Sequence, residues 1–160
     1  MSMVLQKWFG AAALAAAALF VCQQGIAPEY TISGEFDGCE YGKLYELDGG
    51  QILECQTYTY FYEYRPRVIA RGRDVVLIGD EEVDAYLHGG RVFTTHISDE
   101  FEGCDFDRQY SLDNGLVFSC MTYSYTYKYR PEVKIFVVEG GSPKVFIDGK
   151  EYSGVLLRTR

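Results

Sequence analysis

ISGEFDGCEYGKLYELDGGQILECQTYTYFYEYRPRV (residues 32–68) and ISDEFEGCDFDRQYSLDNGLVFSCMTYSYTYKYRPEV (residues 97–133) are one stretch written twice. They align without a gap at a constant offset of 65, and 19 of the 37 aligned positions are identical. The retained positions are Cys39 and Cys104, Cys55 and Cys120, a row of tyrosines, a Leu-Asp-x-Gly turn, and the Tyr-Arg-Pro that closes each copy. Cysteines, turn glycines and prolines are scaffold residues, so the duplication speaks of architecture before it speaks of chemistry.

Within each copy the pattern is that of strands. Gly49-Gly50 and Asn114-Gly115 predict a two-residue hairpin turn with positive φ at both central residues. Such a turn sets Asp48 opposite Gln51 and Asp113 opposite Leu116, so that the second cysteine of each pair faces Leu44 or Gln109. Beyond it, Tyr58, Tyr60, Tyr62 and Tyr64 alternate with Thr57, Thr59, Phe61 and Glu63. Tyr123, Tyr125, Tyr127 and Tyr129 alternate in the same way with Thr122, Ser124, Thr126 and Lys128. A period of two over eight residues is β-structure. Arg65-Pro66 and Arg130-Pro131 end these strands, because proline cannot donate to a ladder.

Further strands are expected at 68–70, 74–78, 82–87, 133–138, 144–147 and 151–157. Gly79-Asp80 and Asp148-Gly149 supply hairpin turns, and residues 139–143 (EGGSP) hold the extra length of the second copy. No segment after residue 27 combines helical periodicity with caps. The expected fold is therefore all-β: two tandem disulfide-stapled repeats, 28–93 and 94–160, each a small barrel or sandwich half, docked with approximate two-fold symmetry. A unit this small is marginal alone, which is a reason for both a staple and docking. His88 to Thr95 reads as the connector.

Residues 8–22 (WFGAAALAAAALFVC) are apolar without interruption but too short and alanine-rich for a spanning helix, so residues 1–27 read as a signal peptide with a hydrophobic helix. An uncleaved anchor is the alternative. Lipidation at Cys22 is disfavoured because Leu19-Phe20-Val21 precedes it instead of small residues. Export to a periplasm or the medium makes four cysteines, paired 16 residues apart, a disulfide framework. Cys39 with Cys55 and Cys104 with Cys120 is the pairing a duplicated unit could close by itself; the crossed set, Cys39 with Cys120 and Cys55 with Cys104, is equally symmetric. Closing a loop of this length constrains the unfolded chain by roughly 3 kcal/mol.

Without its leader the chain carries 14 basic against 23 acidic residues. That charge repels phosphate backbones and anionic lipid, which argues against nucleic-acid and membrane-surface partners. No GxSxG elbow, HExxH pair, phosphate loop or catalytic-cysteine context occurs, and His88 and His96 both fall in the connector. Cys-x15-Cys lacks the close hook of zinc sites, and neither Asp105-Phe106-Asp107 nor Asp80-Glu81-Glu82 has the spacing of a calcium loop. No catalytic residue, metal or cofactor is expected.

The tyrosine rows remain as candidate binding residues. They suit either a core with a wet rim or a face that stacks on sugars or a partner protein. Between copies the face opposite them changes, Phe61 to Thr126 and Glu63 to Lys128, whereas the tyrosines stay. That contrast favours the tyrosine face as the shared structural one. The expected role is a non-enzymatic envelope module that binds an exported protein or a cell-wall glycan. By class the chain is similar to small acidic, disulfide-bonded exported β-proteins that inhibit lysozymes or proteases, although it matches no inhibitor motif. A glycan-acting enzyme with paired carboxylates is the remaining alternative.

Overall fold

The computed structural model describes residues 27–158. Residues 1–26, which hold nearly all of the expected signal segment and Cys22, lie outside the described residues. Sixteen strands follow one another: β1 (Glu29–Thr31), β2 (Glu35–Phe36), β3 (Leu44–Glu46), β4 (Gln51–Cys55), β5 (Glu63–Tyr64), β6 (Arg67–Ala70), β7 (Val75–Ile78), β8 (Glu81–His96), β9 (Glu100–Cys104), β10 (Gln109–Ser111), β11 (Leu116–Cys120), β12 (Ser124–Tyr129), β13 (Glu132–Val138), β14 (Lys144–Ile147), β15 (Lys150–Tyr152) and β16 (Gly154–Arg158). A short 3₁₀ turn, Asp48–Gly50, is the one helical element among the described residues. The protein is all-β.

All pairing is antiparallel, and in the first half it closes on itself. β1 pairs β6, β6 pairs β7, β7 pairs the start of β8, β8 pairs β4, and β4 pairs β3. A bridge from Leu47 to Ile32 returns to the end of β1. The second half runs from the end of β8 to β13, β14 and β15, while β16 leads through β11 and β10 to the matching bridge between Ile97 and Leu112. Closure of this kind removes most of the edges an open sheet leaves unpaired. Inward residues of each circuit form a core of its own. Phe36, Leu53, Val68 and Ile78 anchor the first; Phe101, Phe118, Val133 and Ile147 anchor the second.

Three local expectations are corrected. The hairpin loops hold three residues instead of two: Leu47 stands opposite Gln51 and Leu112 opposite Leu116, each joined by an N–H to carbonyl bond of 2.9 and 2.8 Å. Gly49 and Gly50 are left-handed, but in the second copy only Gly115 is, at the loop position where a type I turn needs it. The register therefore slips by one, and Cys55 and Cys120 donate to the carbonyls of Lys43 and Arg108, not to Leu44 and Gln109. Second, residues 88–95 are no linker. They belong to the second half of β8, a strand of 16 residues shared by both halves. His96 is exposed, whereas His88 is half-buried and shares a 2.8 Å hydrogen bond with Glu54 Oε2. Third, the first tyrosine segment is ladder-bonded only at Glu63–Tyr64; the second is a six-residue strand, β12, with an irregularity between Tyr125 and Lys128.

Both two-residue turns expected downstream are present, since Ile78 pairs Glu81 and Ile147 pairs Lys150. Asp148 and Gly149 both take positive φ, as a primed hairpin turn requires. The disulfides are Cys39–Cys55 and Cys104–Cys120, with Cα atoms 5.5 Å apart in each. Two such bonds suit an oxidising compartment.

Candidate functional site

What holds each tyrosine segment in place is the loop that carries the first cysteine. Gly38 and Gly103 are left-handed, and a Cβ there would collide with the carbonyl oxygen of Thr59 or of Ser124. Only glycine lets the tyrosine segment lie this close. The Cys39 N–H donates to Thr59 Oγ1 at 2.8 Å, and the Cys104 N–H to Ser124 Oγ at 3.0 Å. Beneath them the Tyr45 hydroxyl donates to the Gly38 carbonyl at 2.5 Å and the Tyr110 hydroxyl to the Gly103 carbonyl. Phe61 turns inward too, its ring centroid 4.7 Å from that of Phe36.

Thr59, Phe61 and Ser124 turn toward the cysteine loops and the core, and the tyrosines of the rows face outward. Tyr58, Tyr60, Tyr62, Tyr64, Tyr123, Tyr125, Tyr127 and Tyr129 are between 59% and 92% exposed. The expectation that this is the structural face, and its opposite the variable solvent face, is therefore overturned. The tyrosines that build core are others, Tyr45, Tyr110 and Tyr152. Thr and Ser reach the cysteine backbone where tyrosine could not, and that decides which face is turned in.

The exposed rings do not hang free of polar partners. Tyr127 donates to Glu100 Oε1 at 3.0 Å, and this bond, with some loss of hydration, raises its pKa. At the matching place in the first half, partial desolvation followed by the Glu35 carboxylate raises Tyr62. In the second half a groove of about 310 Å³ runs beside the row, lined by Tyr123, Tyr125 and Tyr127 and by Glu102, Asp105 and Arg108. Arg108 and Glu102 form an ion pair within its lining. Lys43 and Asp37 occupy the equivalent places in the first half, 2.7 Å apart. Burial is the largest influence on Asp37 and works against ionisation, but the bonds from Lys43 and Tyr45 outweigh it and hold its pKa below the usual carboxylate range.

A second concavity lies where the halves meet, as two adjoining hollows of about 270 and 540 Å³. Lys43, Lys134, Lys144 and Lys150 line it, which is four of the five described lysines. Carboxylates of Glu35, Asp37, Glu40, Glu46, Glu132 and Glu151 share the lining and outnumber them, so the hollow is mixed in charge and not cationic. Sequence reading missed both this hollow and the Glu102–Arg108 groove wall. The equivalence of Asp37-Lys43 with Glu102-Arg108 at the repeat offset was the available sign of the latter.

Among the described residues no group of three or more His, Cys, Asp or Glu side chains is placed to hold a metal ion. Among them also, no helix is long and apolar enough to cross a membrane. Comparison of the chain with protein-family models, with curated proteins and with solved structures finds no match.

Proposed function

We propose that the protein is an exported, non-enzymatic binding module whose two tyrosine rows hold a glycan chain of the cell wall. The observation that carries this is the exposure of all eight row tyrosines on backbone pinned by a disulfide loop. Rigid, flat, amphipathic rings offer contact area at little cost in conformational entropy. The groove beside the second row adds what a sugar needs besides a stacking face, carboxylate acceptors from Glu102 and Asp105 and the fork of Arg108 for hydroxyl groups. An acidic protein suits a neutral glycan better than a polyanionic one.

In this reading each half is a small closed barrel and the two stand in tandem, one row apiece. At the junction Leu44 and Ile52 of the first half meet Phe136, Val138 and Phe146 of the second, and we read this contact of non-equivalent positions as head-to-tail docking. A hydrolase inhibitor finds no particular support in the groove.

Sedimentation with isolated cell wall tests the proposal. Wild-type protein should be retained, and Tyr60→Ala with Tyr125→Ala should abolish retention without lowering the melting temperature. Retention that survives both changes would refute the tyrosine rows as the surface. Release of soluble wall fragments would make the protein an enzyme instead.

A further inference from the structure

The hollow where the halves meet has two walls of opposite charge. The first half supplies Glu35 from β2, Asp37 and Glu40 from the loop that follows it, Glu46 from β3, and one lysine, Lys43. The second half supplies Lys134, Lys144 and Lys150, one from each of β13, β14 and β15, beside Glu132 and Glu151. Strand register explains why these lysines share a surface with aromatic rings. Lys134 pairs Phe146 and Lys144 pairs Phe136, and residues directly opposite each other in an antiparallel pair point to the same side of the sheet. The two rings pack together, their centroids 5.2 Å apart, and give the lining an apolar part.

The walls do not neutralise each other. Among the described residues the one ion pair within the lining is that of Lys43 with Asp37, and both belong to the first half. Lys134, Lys144 and Lys150 have no carboxylate within ion-pair distance among the described residues, although carboxylates of both halves share the hollow. With Lys43 and Asp37 paired, the first wall keeps Glu35, Glu40 and Glu46, and the second keeps its three lysines against two glutamates. A ligand of one sign is drawn to one wall and repelled by the other, whereas a ligand that carries both signs is drawn to both. The two hollows adjoin through Lys43, Phe146 and Gly149, and their volumes of about 270 and 540 Å³ are those of a site for a small ligand.

We propose that this hollow is a binding site for a short peptide with a free amino and a free carboxyl terminus. Lys134, Lys144 and Lys150 receive the carboxylate, Glu35, Glu40 and Glu46 receive the ammonium group, and the apolar side chains between them lie against Phe146. A single amino acid holds both charges on one carbon atom and cannot answer walls that stand too far apart to pair. A short peptide can, because each extended residue adds about 3.3 Å between its ends. The inference does not rest on the tyrosine reading, since none of the row tyrosines lines this hollow. Salt should weaken the association, because it screens the charges that select the ligand.

Amide chemical-shift mapping of the purified, isotope-labelled, disulfide-bonded protein tests this, with an equimolar pool of alanine–leucine tetrapeptides free at both ends as the probe. The pool should move the amides of Lys43, Lys134, Lys144 and Phe146 saturably. The same pool acetylated at its amino ends, or amidated at its carboxyl ends, should bind roughly tenfold more weakly, because each cap removes a charge-assisted bond. Lys134→Gln with Lys144→Gln should weaken the free pool and make binding indifferent to amidation; Glu35→Gln with Glu46→Gln should make it indifferent to acetylation. None of these four side chains is buried, and melting curves verify that both variants are folded. Tyr60→Ala with Tyr125→Ala should bind the pool as wild type does, which separates this site from the rows. No saturable shift, equal affinity for free and capped pools, or a lysine variant that still discriminates against the amidated pool would each overturn the proposal.

Discussion

Phe36 and Phe101 hold matching places in the two halves, and their surroundings match on one side, although the second ring against Phe36 is Phe61 and that against Phe101 is Tyr152. Each is wholly buried, each touches a tyrosine ring, Tyr45 at 5.0 Å and Tyr110 at 4.8 Å between centroids, and each tyrosine bonds the carbonyl of the glycine before a disulfide cysteine. Leu44 and Gln109 also match in the sequence, yet Leu44 is buried at the junction and Gln109 is exposed. The difference separates two kinds of constraint. Positions inside a circuit answer to the same packing problem in both copies, whereas outward positions answer to whatever covers them, and the halves are covered differently.

The interior side of this comparison should show the largest effects. Phe36→Ala and Phe101→Ala each remove a fully buried ring and should cost about 3–5 kcal/mol, measured by urea unfolding. A large inequality between them would mean that the cores are less alike than their geometry. Next, replacing Cys104 and Cys120 by serine should cost roughly 3 kcal/mol, and replacing Cys39 and Cys55 nearly the same, because both loops span 16 residues. Non-reducing melting curves of the two double variants make the comparison directly.

A smaller effect sharpens the contrast between inner and outer tyrosines through pH. Burial, with the Asp37 carboxylate beside it, raises the Tyr45 pKa well above its ordinary 10.0, and burial raises Tyr110 and Tyr152. Their contribution to stability is complete below pH 10.0. Above that pH the unfolded chain releases these protons while the folded chain keeps them, so stability should fall as pH rises. Thermal melts at increasing alkalinity should show a shallower fall for Tyr45→Phe than for wild type. The smallest expected change is at the outer row: Tyr60→Ala and Tyr125→Ala should melt as wild type does, since neither ring is covered. A clear loss of stability there would place the rows back in the structural role.

Much of this was legible from residue order alone. Strand periodicity and the Asp148-Gly149 turn follow from local chemistry, alternation and left-handed backbone, whereas the within-copy disulfides are the preferred pairing beside an equally symmetric crossed one, and the structure decides for them. The hairpin register was not, because Gly49-Gly50 and Asn114-Gly115 serve a three-residue loop as readily as a two-residue one. Nor was the nature of residues 88–95, where polar and glycine residues imitate a linker although both neighbours need them as strand.

The orientation of the tyrosine rows marks the boundary between the two kinds of knowledge. Residue order places Tyr58 to Tyr64 on one face and Tyr123 to Tyr129 on one face, since an extended chain has a period of two. It could not determine which way that face points, because both faces held plausible core residues. The tertiary structure decided it at one contact in each half, where the cysteine N–H bonds Thr59 or Ser124 and the glycine beside it leaves no room for a larger side chain. The pairing of Leu44 and Ile52 with Phe136 is of the same kind, for a contact between distant strands depends on where the chain returns and on nothing local to either end.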